Sequence, residues 1–205
     1  MSLFSSEEHS KNINLNLPNA DITYYPKFFS EKIADNYFET LLNETNWRQD
    51  DIKLFGKTYK QPRLTALYGE DGKNYTYSGI TMNPLPFTSV LREIKEKVEK
   101  ISEEKFNVVL LNLYRDGQDS NGWHSDDEKE LGENPVIASV SFGAERKFYL
   151  KHKEDKSAKH KIVLENGSLL IMKEQTQRFW KHQIPKTKKN ISPRVNLTFR
   201  KIISS

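Results

Sequence analysis

The apolar positions of this chain follow two different spacings. From Ser30 to about Trp47, and again from Pro86 to about Glu104, apolar residues recur every three or four positions, which is typical of amphipathic helices. Beyond residue 105 the apolar residues fall into short, often alternating segments, which is typical of strands. Helices followed by many short strands predict an α+β protein whose strands form a double-sheet jelly roll.

The boundaries of the predicted strands give one continuous domain. The strands are Asn107–Tyr114, Ile137–Phe142, Lys147–His152, Lys161–Leu164, Ser168–Met172, Phe179–Ile184 and Arg194–Ile203. The polar, Asn-rich residues 1–20 are predicted to form a flexible arm. No linker divides the remainder, so residues 21–205 are predicted to be a single domain with its jelly-roll core at about 105–203.

The last predicted strand has two chemically different faces. In residues 194–200, Val195, Leu197 and Phe199 alternate with polar residues, and an arginine stands at each end of the segment. The polar face either lies in solvent at a sheet edge or lines a polar cavity. In a cavity, two guanidinium groups are suited to a dicarboxylate. The alternation alone leaves both interpretations open.

A second pattern indicates a metal site. His124 and Asp126 are two residues apart, so their side chains project the same way in an extended segment. His182 follows in a later apolar segment. Two histidines and one carboxylate form the ligand set of non-haem Fe(II) oxygenases. The alternative is a surface-loop residue for His124 and a core residue for His182.

Composition excludes several classes of site and segment. The chain has 205 residues, 24.0 kDa and no cysteine, which excludes disulfides, thiolate catalysis and thiolate zinc sites. No apolar run is long enough to span a membrane, and residues 1–11 lack a signal-peptide core. We therefore expect a protein without membrane contact that works inside the cell.

The positive charge is concentrated near the C-terminus. The formal net charge is only +4, yet residues 173–201 contain nine Lys or Arg against the single acidic residue Glu174. A basic segment on a mildly acidic body indicates a surface that faces a polyanion. A solvated, lysine-rich loop is the alternative.

Together these residues resemble a known family. His124-x-Asp126, His182 and Arg194-x-Asn-x-Thr-x-Arg200, with Asn112-x-Tyr114 upstream, resemble the AlkB family of Fe(II)- and 2-oxoglutarate-dependent nucleic-acid dealkylases. The resemblance covers about residues 20–203 and includes Pro62-Arg-Leu-Thr, Tyr68-Gly, Tyr75-Thr-Tyr-Ser78, His124-Ser-Asp-Asp-Glu128, Ile137–Ala144, Gly167–Met172 and Pro193–Arg200. It implies a double-stranded β-helix with a nucleotide-recognition lid at about residues 50–84.

The resemblance also implies roles for the central residues. His124, Asp126 and His182 would bind Fe(II), leaving positions for 2-oxoglutarate and O2. Arg194 would pair with the distal carboxylate of 2-oxoglutarate, and Arg200 would lie near the other carboxylate and Asp126. The residues that would complete this pocket are Asn112, Tyr114 and Asn196.

A second group of residues would handle the damaged base and its strand. The resemblance implies that Asp127 and Glu128 contact an exocyclic amine, although they could be two solvated acids. Tyr77 would stack the flipped base against His124, and Tyr75 and Ser78 would border that pocket. Phe55 would fill the gap left in a duplex, with Arg63 close by. Phosphates would be held by Lys186, Lys188 and Lys189.

Two branches of the family are mixed in this chain. The segments Leu54-Phe-Gly-Lys57 and Phe199-Arg-Lys-Ile202 resemble the branch that acts on duplex DNA. Ser125 and Tyr77 instead resemble the branch that prefers single-stranded DNA and RNA. Strand preference is therefore not predicted.

The implied function is direct repair of alkylated DNA. The enzyme would demethylate 1-methyladenine and 3-methylcytosine and release formaldehyde, succinate and CO2. It would work as a monomer, in the cytoplasm of a bacterium or the nucleus of a eukaryote. The alternatives are the same chemistry on RNA, a silent nucleic-acid-binding module, and a hydroxylase of proteins or small molecules.

Overall fold

The structure is a computed structural model that describes residues 12–54, 56–70, 75–77, 80–82 and 84–203. At residues 53–54, 75–77 and 80–82 it describes the backbone alone. The helices are α1 (Glu31–Glu44), α2 (Ser89–Ser102) and the single turn α3 (Thr176–Phe179). None of these helices is long and apolar enough to cross a membrane.

The strands extend from one end of the described chain to the other. They are β1 (Ile13–Asn14), β2 (Asp21–Tyr25), β3 (Asp51–Leu54), β4 (Lys57–Lys60), β5 (Leu64–Gly69), β6 (Tyr75–Tyr77), β7 (Ile80–Met82), β8 (Leu85–Pro86), β9 (Val108–Tyr114), β10 (Asn121–His124), β11 (Ile137–Gly143), β12 (Arg146–His152), β13 (Lys159–Leu164), β14 (Ser168–Lys173), β15 (Trp180–Ile184) and β16 (Arg194–Arg200).

Two sheets form the jelly roll that the pattern predicts. The major sheet has the strand order β1-β2-β14-β11-β16-β9-β5-β8, and the minor sheet has the order β10-β15-β12-β13. Strands β3 and β4 form one separate hairpin, and β6 and β7 form another. The α+β fold with helices preceding a double-sheet core is therefore confirmed.

The helix boundaries differ from those predicted, for local reasons. Helix α2 begins at Ser89 rather than near Pro86, because the Thr88 hydroxyl caps it by accepting from the backbone N–H of Leu91 at 3.3 Å. Ser30 occupies the N-cap position of α1 but makes no side-chain capping hydrogen bond.

Strand β16 lies inside the major sheet, not at its edge. It pairs with β11 on one side and β9 on the other, and all seven of its residues are buried. Val195, Leu197 and Phe199 pack with apolar residues of α1 and α2 in one core. The opposite, polar face looks into the space between the two sheets, which settles the two interpretations of this strand in favour of a polar cavity.

Residues 12–20 are part of the fold, contrary to the prediction of a flexible arm through residue 20. Ile13 and Asn14 pair with β2, and Leu15 and Leu17 pack against the core between the sheets. The buried indole of Trp180 also donates to the Pro18 carbonyl at 2.8 Å. The strand pairing attaches the segment to the major sheet, and the Pro18 contact attaches it to β15, the strand that carries His182.

Candidate metal and cosubstrate site

Three donors of the predicted metal site converge between the two sheets. The pairing of β10 with β15 sets His124 opposite His182, and Asp126 follows two residues after the end of β10. One ligand atom from each of the three residues lies within 4.8 Å of the others. Two imidazoles and a carboxylate with an open side suit Fe(II).

The ring of His124 is held in one tautomer. Its Nδ1 lies 2.7 Å from the Gly122 carbonyl, which can only accept, so Nδ1 carries the proton. The lone pair is then on Nε2, where the Asn121 amide is 3.2 Å away. A backbone carbonyl behind a histidine is a common way to orient a metal ligand. A metal ion bound to Nε2 would take the place of the amide contact.

His124 is suited to binding a cation as a neutral ring. Enclosure of His124, together with the nearby ring of His182, lowers the pKa of His124 from 6.5 to about 4. The two ring centroids are 4.2 Å apart. His182 is buried and stacks on Phe148, with ring centroids 5.1 Å apart. Because metals bind the unprotonated nitrogen, a histidine that stays neutral in weak acid is prepared for this role.

Asp126 is ionised and fixed in position. Burial alone would raise its pKa, but the Arg200 guanidinium and His182 outweigh burial and hold the pKa well below its usual range. Arg200 Nη2 donates to Asp126 Oδ1, and His182 Nε2 lies 3.4 Å from Oδ2. The backbone N–H of Asp126 donates to Gln177 Oε1 at 2.9 Å. The carboxylate therefore keeps its charge and its direction.

The predicted cosubstrate residues share one cleft with the three donors. Its walls include side chains from β9, β10, β15 and β16, and the predicted residues among them are Asn112, Tyr114, Arg194, Asn196 and Arg200. Strand alternation places them together, because the polar residues of β9 and β16 face the same gap. The sequence therefore identified five residues that line this cleft. The roles of these residues toward 2-oxoglutarate stay predictions.

Arg194 is a buried arginine of this cleft with two nitrogens that a ligand could bind. It is 1% exposed, and Nη2 donates to the Ser141 hydroxyl at 2.9 Å. Its Nε and Nη1 have no hydrogen-bond partner within the described residues, and burial lowers its pKa to about 10. Buried charges are normally paired. A carboxylate of 2-oxoglutarate would accept a hydrogen bond from one of these two nitrogens, so the cleft fits this cosubstrate.

The side chains near Arg194 are already fixed by the protein. Asn196 Nδ2 donates to the Ser139 hydroxyl and to the Val140 carbonyl, each at 2.9 Å. Asn112 Oδ1 accepts from Arg63 Nε at 2.7 Å. These bonds orient the two amides before any ligand binds. The sequence did not single out Ser139, which holds Asn196, or Ser141, which holds Arg194.

Arg63 is buried and hydrogen-bonded inside the protein. It is 5% exposed and donates to Asn112 Oδ1 and to the Ser120 carbonyl, the latter at 3.3 Å. Through Asn112 it supports a side chain that lines the cleft. The resemblance implied a place close to Phe55, which lies outside the described residues, so the role of Arg63 toward the substrate stays a prediction.

The two acids after the triad are in unlike surroundings. Asp127 is exposed and pairs with Lys153 at 3.0 Å. Glu128 is half-buried, and its Oε2 has no partner among the described residues. Burial raises the pKa of Glu128, while Arg200 opposes that rise and Asp126 adds to it. Glu128 is thus the better placed of the two to meet a ligand group that donates.

The remaining predicted contacts are only partly described. Tyr75 and Tyr77 lie on β6, where the structure describes the backbone alone, and Phe55 and Ser78 lie outside the described residues. Their roles stay predictions. The exposed lysines Lys186, Lys188 and Lys189 lie on the loop between β15 and β16.

The loop that carries these lysines is fastened to the segment before β10. Thr187 N–H donates to the Gly117 carbonyl at 2.8 Å, and Gln118 Nε2 donates to the Thr187 carbonyl at 3.1 Å. A Cβ on Gly117 would come within 2.7 Å of backbone oxygens of this loop. Arg146, which the sequence did not single out, donates to the carbonyls of both segments.

The chain is similar to known proteins over most of its length. Residues 21–200 match the 2OG-Fe(II) oxygenase superfamily. The chain is 42% identical over 190 residues to DNA oxidative demethylase ALKBH2 of Bos taurus, covering 87% of this chain and 68% of that one. It is 45% identical over 190 residues to the human alpha-ketoglutarate-dependent dioxygenase alkB homolog 3, covering 88% and 66%.

One solved structure has a similar fold. The structure of OsALKBH1 matches with a TM-score of 0.63 at 16% identity, over 93% of this chain and 100% of that chain. At this identity the likeness concerns the arrangement of the two sheets and their helices.

Proposed function

The chain belongs to the AlkB family within the 2OG-Fe(II) oxygenase superfamily, and on this premise we propose that it oxidatively demethylates alkylated DNA bases. Its substrates would be 1-methyladenine and 3-methylcytosine, and its products the restored base, formaldehyde, succinate and CO2. The relatives named DNA oxidative demethylase ALKBH2 support this substrate class.

One observation carries the proposal. The cleft between the sheets brings three metal donors within 4.8 Å of one another and sets a buried arginine with two unpartnered nitrogens into the same lining. The first feature suits Fe(II), and the second suits the carboxylate of a 2-oxo acid. A silent binding module has no chemical need for both.

The residues of the cleft would divide the work between holding and orienting. His124 Nε2, Asp126 and His182 would hold Fe(II), which when bound supplies oxidation of the alkyl carbon by O2 at the expense of 2-oxoglutarate. Arg194 would bind the distal carboxylate through one of its two unpartnered nitrogens. Arg200 would keep Asp126 ionised, as it does in the structure.

The base would be held at the mouth of this cleft. Glu128, whose Oε2 has no partner among the described residues, would accept a hydrogen bond from an exocyclic amine. Tyr77 would stack on the extruded base, and the lysines of the β15–β16 loop would contact phosphates. We infer a monomer, with alkylated DNA as its partner in single- or double-stranded form.

A turnover assay tests the proposal directly. Protein purified without oxygen receives Fe(II) and 2-oxoglutarate, then air and an oligonucleotide carrying 1-methyladenine, single-stranded or in a duplex. We expect the loss of one methyl group by mass, with formaldehyde and succinate released together. The ratio of the two rates gives the preference for single-stranded or duplex DNA. The rate on a matched RNA oligonucleotide gives the preference for DNA or RNA.

Two results would contradict the proposal. Succinate formed without demethylation would mean that the iron centre works on another substrate. Neither product, despite bound iron, would favour a silent nucleic-acid binder. Because oxidation needs the intact donor set, Asp126→Ala provides the negative control.

A further inference from the structure

The outer face of the minor sheet carries lysines and aromatic rings but no carboxylate. Alternation along β12 turns Phe148 and Leu150 inward and leaves Lys147, Tyr149 and Lys151 on the outer side. The register of β13 and β15 adds residues from both neighbouring strands. We call this surface the lysine face; its members are Trp123, Lys147, Tyr149, Lys151, Lys159, Lys161, Val163, Lys181 and Gln183.

The lysines of this face stand next to one another. Lys151 is directly opposite Lys159 on one side and Lys181 on the other, which makes a row of three like charges across three strands. Like charges directly opposite in a sheet are destabilising. None of the five lysines of the face forms an ion pair with a carboxylate of the described chain. A bound polyanion would relieve this repulsion.

An exposed indole lies at the end of the face nearest the metal donors. Trp123 is 37% exposed, and Lys151 Nζ lies 4.3 Å from the centre of its ring. The next residue along the chain is His124. Unpaired bases stack on exposed aromatic side chains, and neighbouring cations attract their phosphates. The indole and the lysine row thus match the two parts of a nucleotide.

The face continues into the basic loop. A cavity separates the sheet from the β15–β16 loop, with Lys147, Tyr149 and Val163 on the sheet side and Lys186 and Lys189 on the loop side. The carboxylate Glu145 also lines this cavity, but lysines stand on both of its walls. The lysine face therefore adjoins the loop that was predicted to hold phosphates.

We propose that the lysine face binds the single-stranded stretch of nucleic acid that continues from the damaged nucleotide. Trp123 stacks on an unpaired base, and the lysines contact the phosphates that follow. This inference rests on the proposed function for the identity of the ligand. It goes beyond that function by adding a surface outside the cleft and by favouring an unpaired strand, because a base in a duplex cannot stack on the indole.

Binding of an undamaged oligonucleotide tests the lysine face without any turnover. The variant Lys147→Gln/Lys159→Gln/Lys161→Gln removes three charges away from His124 and His182. The matched control, Lys32→Gln/Arg92→Gln/Lys100→Gln, removes three exposed charges from α1 and α2. Affinity for a labelled, unmodified single-stranded oligonucleotide is measured by fluorescence anisotropy over a range of salt concentrations.

We expect the face variant to bind at least tenfold more weakly than the control at low salt. The slope of log affinity against log salt should fall by about 2, since each lost contact with a single strand removes about 0.7. Equal affinities and slopes for the two variants would overturn the proposal. So would a face variant that lost affinity for phosphatidylserine vesicles while it kept its affinity for the oligonucleotide.

The indole is tested by comparing Trp123→Leu with Trp123→Phe. The leucine variant should lose about tenfold in affinity for a single strand, and the phenylalanine variant clearly less, because a ring still stacks. Binding of a blunt duplex should be the same for both variants. Equal losses for single strand and duplex would contradict stacking.

These binding results are separable from the proposed chemistry. A protein that binds undamaged single strands through this face but never demethylates would overturn the proposed function and keep the lysine face. If the protein demethylates normally and the face variant binds as well as the control, the proposed function stands and the proposal for the lysine face is overturned.

Discussion

The two ends of β16 carry the same buried group with different partners. Arg194 and Arg200 lie on one strand face, 1% and 2% exposed, and both line the cleft. Arg200 donates to the carboxylate of Asp126. Arg194 is hydrogen-bonded to the neutral hydroxyl of Ser141, and its Nε and Nη1 have no partner in the described part of the chain.

The difference separates what the protein completes by itself from what a ligand must complete. An uncompensated charge away from water costs several kcal/mol, whereas a well-paired one is tolerated. The Arg200 end is assembled before any ligand arrives, and it holds Asp126 ionised. The Arg194 end keeps a cost that a dicarboxylate can relieve. Four measurements test this difference between the two ends.

Asp126→Ala should have the largest effect. It removes a metal donor and the carboxylate that faces the buried Arg200 guanidinium, so turnover should disappear and stability should fall by about 3–5 kcal/mol. Succinate formation, iron content and urea unfolding measure the three consequences. Asp127→Ala, one residue away on an exposed pair, should keep iron and lose less than about 1 kcal/mol. Iron retained by Asp126→Ala would contradict the donor assignment.

Acid should destabilise the iron-free protein through His124, which lies beside Asp126. The pKa of His124 is about 4 when folded, against 6.5 ordinarily, so between these values the unfolded chain takes up a proton that the folded chain refuses. Stability of the iron-free protein should fall by up to about 3 kcal/mol as pH drops from 6.5 to 4. Urea unfolding at several pH values measures it.

A variant without the imidazole is the control for this pH effect. His124→Gln should flatten the curve over the same window. Arg194 contributes nothing there, because its guanidinium stays protonated throughout. An unchanged slope in His124→Gln would assign the acid sensitivity to other groups.

Arg194→Met and Arg200→Met should change the stability of the protein in opposite directions. Removing the Arg194 guanidinium, which pairs with no carboxylate of the described residues, should leave stability equal or higher. Arg200→Met leaves the buried carboxylate of Asp126 without its guanidinium and should cost about 3–5 kcal/mol. Arg194→Met should also weaken 2-oxoglutarate binding by about 10–100-fold, the usual range for hydrogen bonds to a charged group. Melting temperature with and without 2-oxoglutarate measures both effects. A variant that 2-oxoglutarate still stabilises fully would remove Arg194 from the cosubstrate site.

The smallest effect concerns the loop that leads into the Arg194 end. Lys188→Ala/Lys189→Ala should reduce the salt dependence of DNA binding by about one log unit per lost phosphate contact. Affinity for 2-oxoglutarate should not change, because these lysines are exposed and Arg194 is buried. Titrations with labelled duplex at several salt concentrations measure it. A salt dependence unchanged by the two substitutions would place the loop away from DNA.

The fold and the lining of the cleft were predictable because strand alternation is local. The period of two along β16 separates Val195, Leu197 and Phe199 from the polar residues, and the same period sorts β9. The two helices were equally visible in the spacing of their apolar residues. The edge or interior position of β16 was not visible, since it depends on which strands pair with it.

The supports of the cleft were not predictable, because they come from distant parts of the chain. Ser141 reaches Arg194 only through the pairing of β11 with β16. Gln177 holds the backbone of Asp126 across 51 residues from a single helical turn. Ser139 and Ser141 left a weak signal as two small polar residues on one face of an apolar strand. Gln177 left none.

A boundary drawn where the family match begins, at residue 21, would cut away part of the support of the iron site. Trp180 lies two residues before His182 on β15. Its indole is buried, and the indole N–H donates to the Pro18 carbonyl. Trimming the chain to residue 21 would leave that donor unsatisfied, at a cost of about 1–3 kcal/mol. A shortened version intended for crystals or for engineering should therefore keep the chain from residue 12 onward.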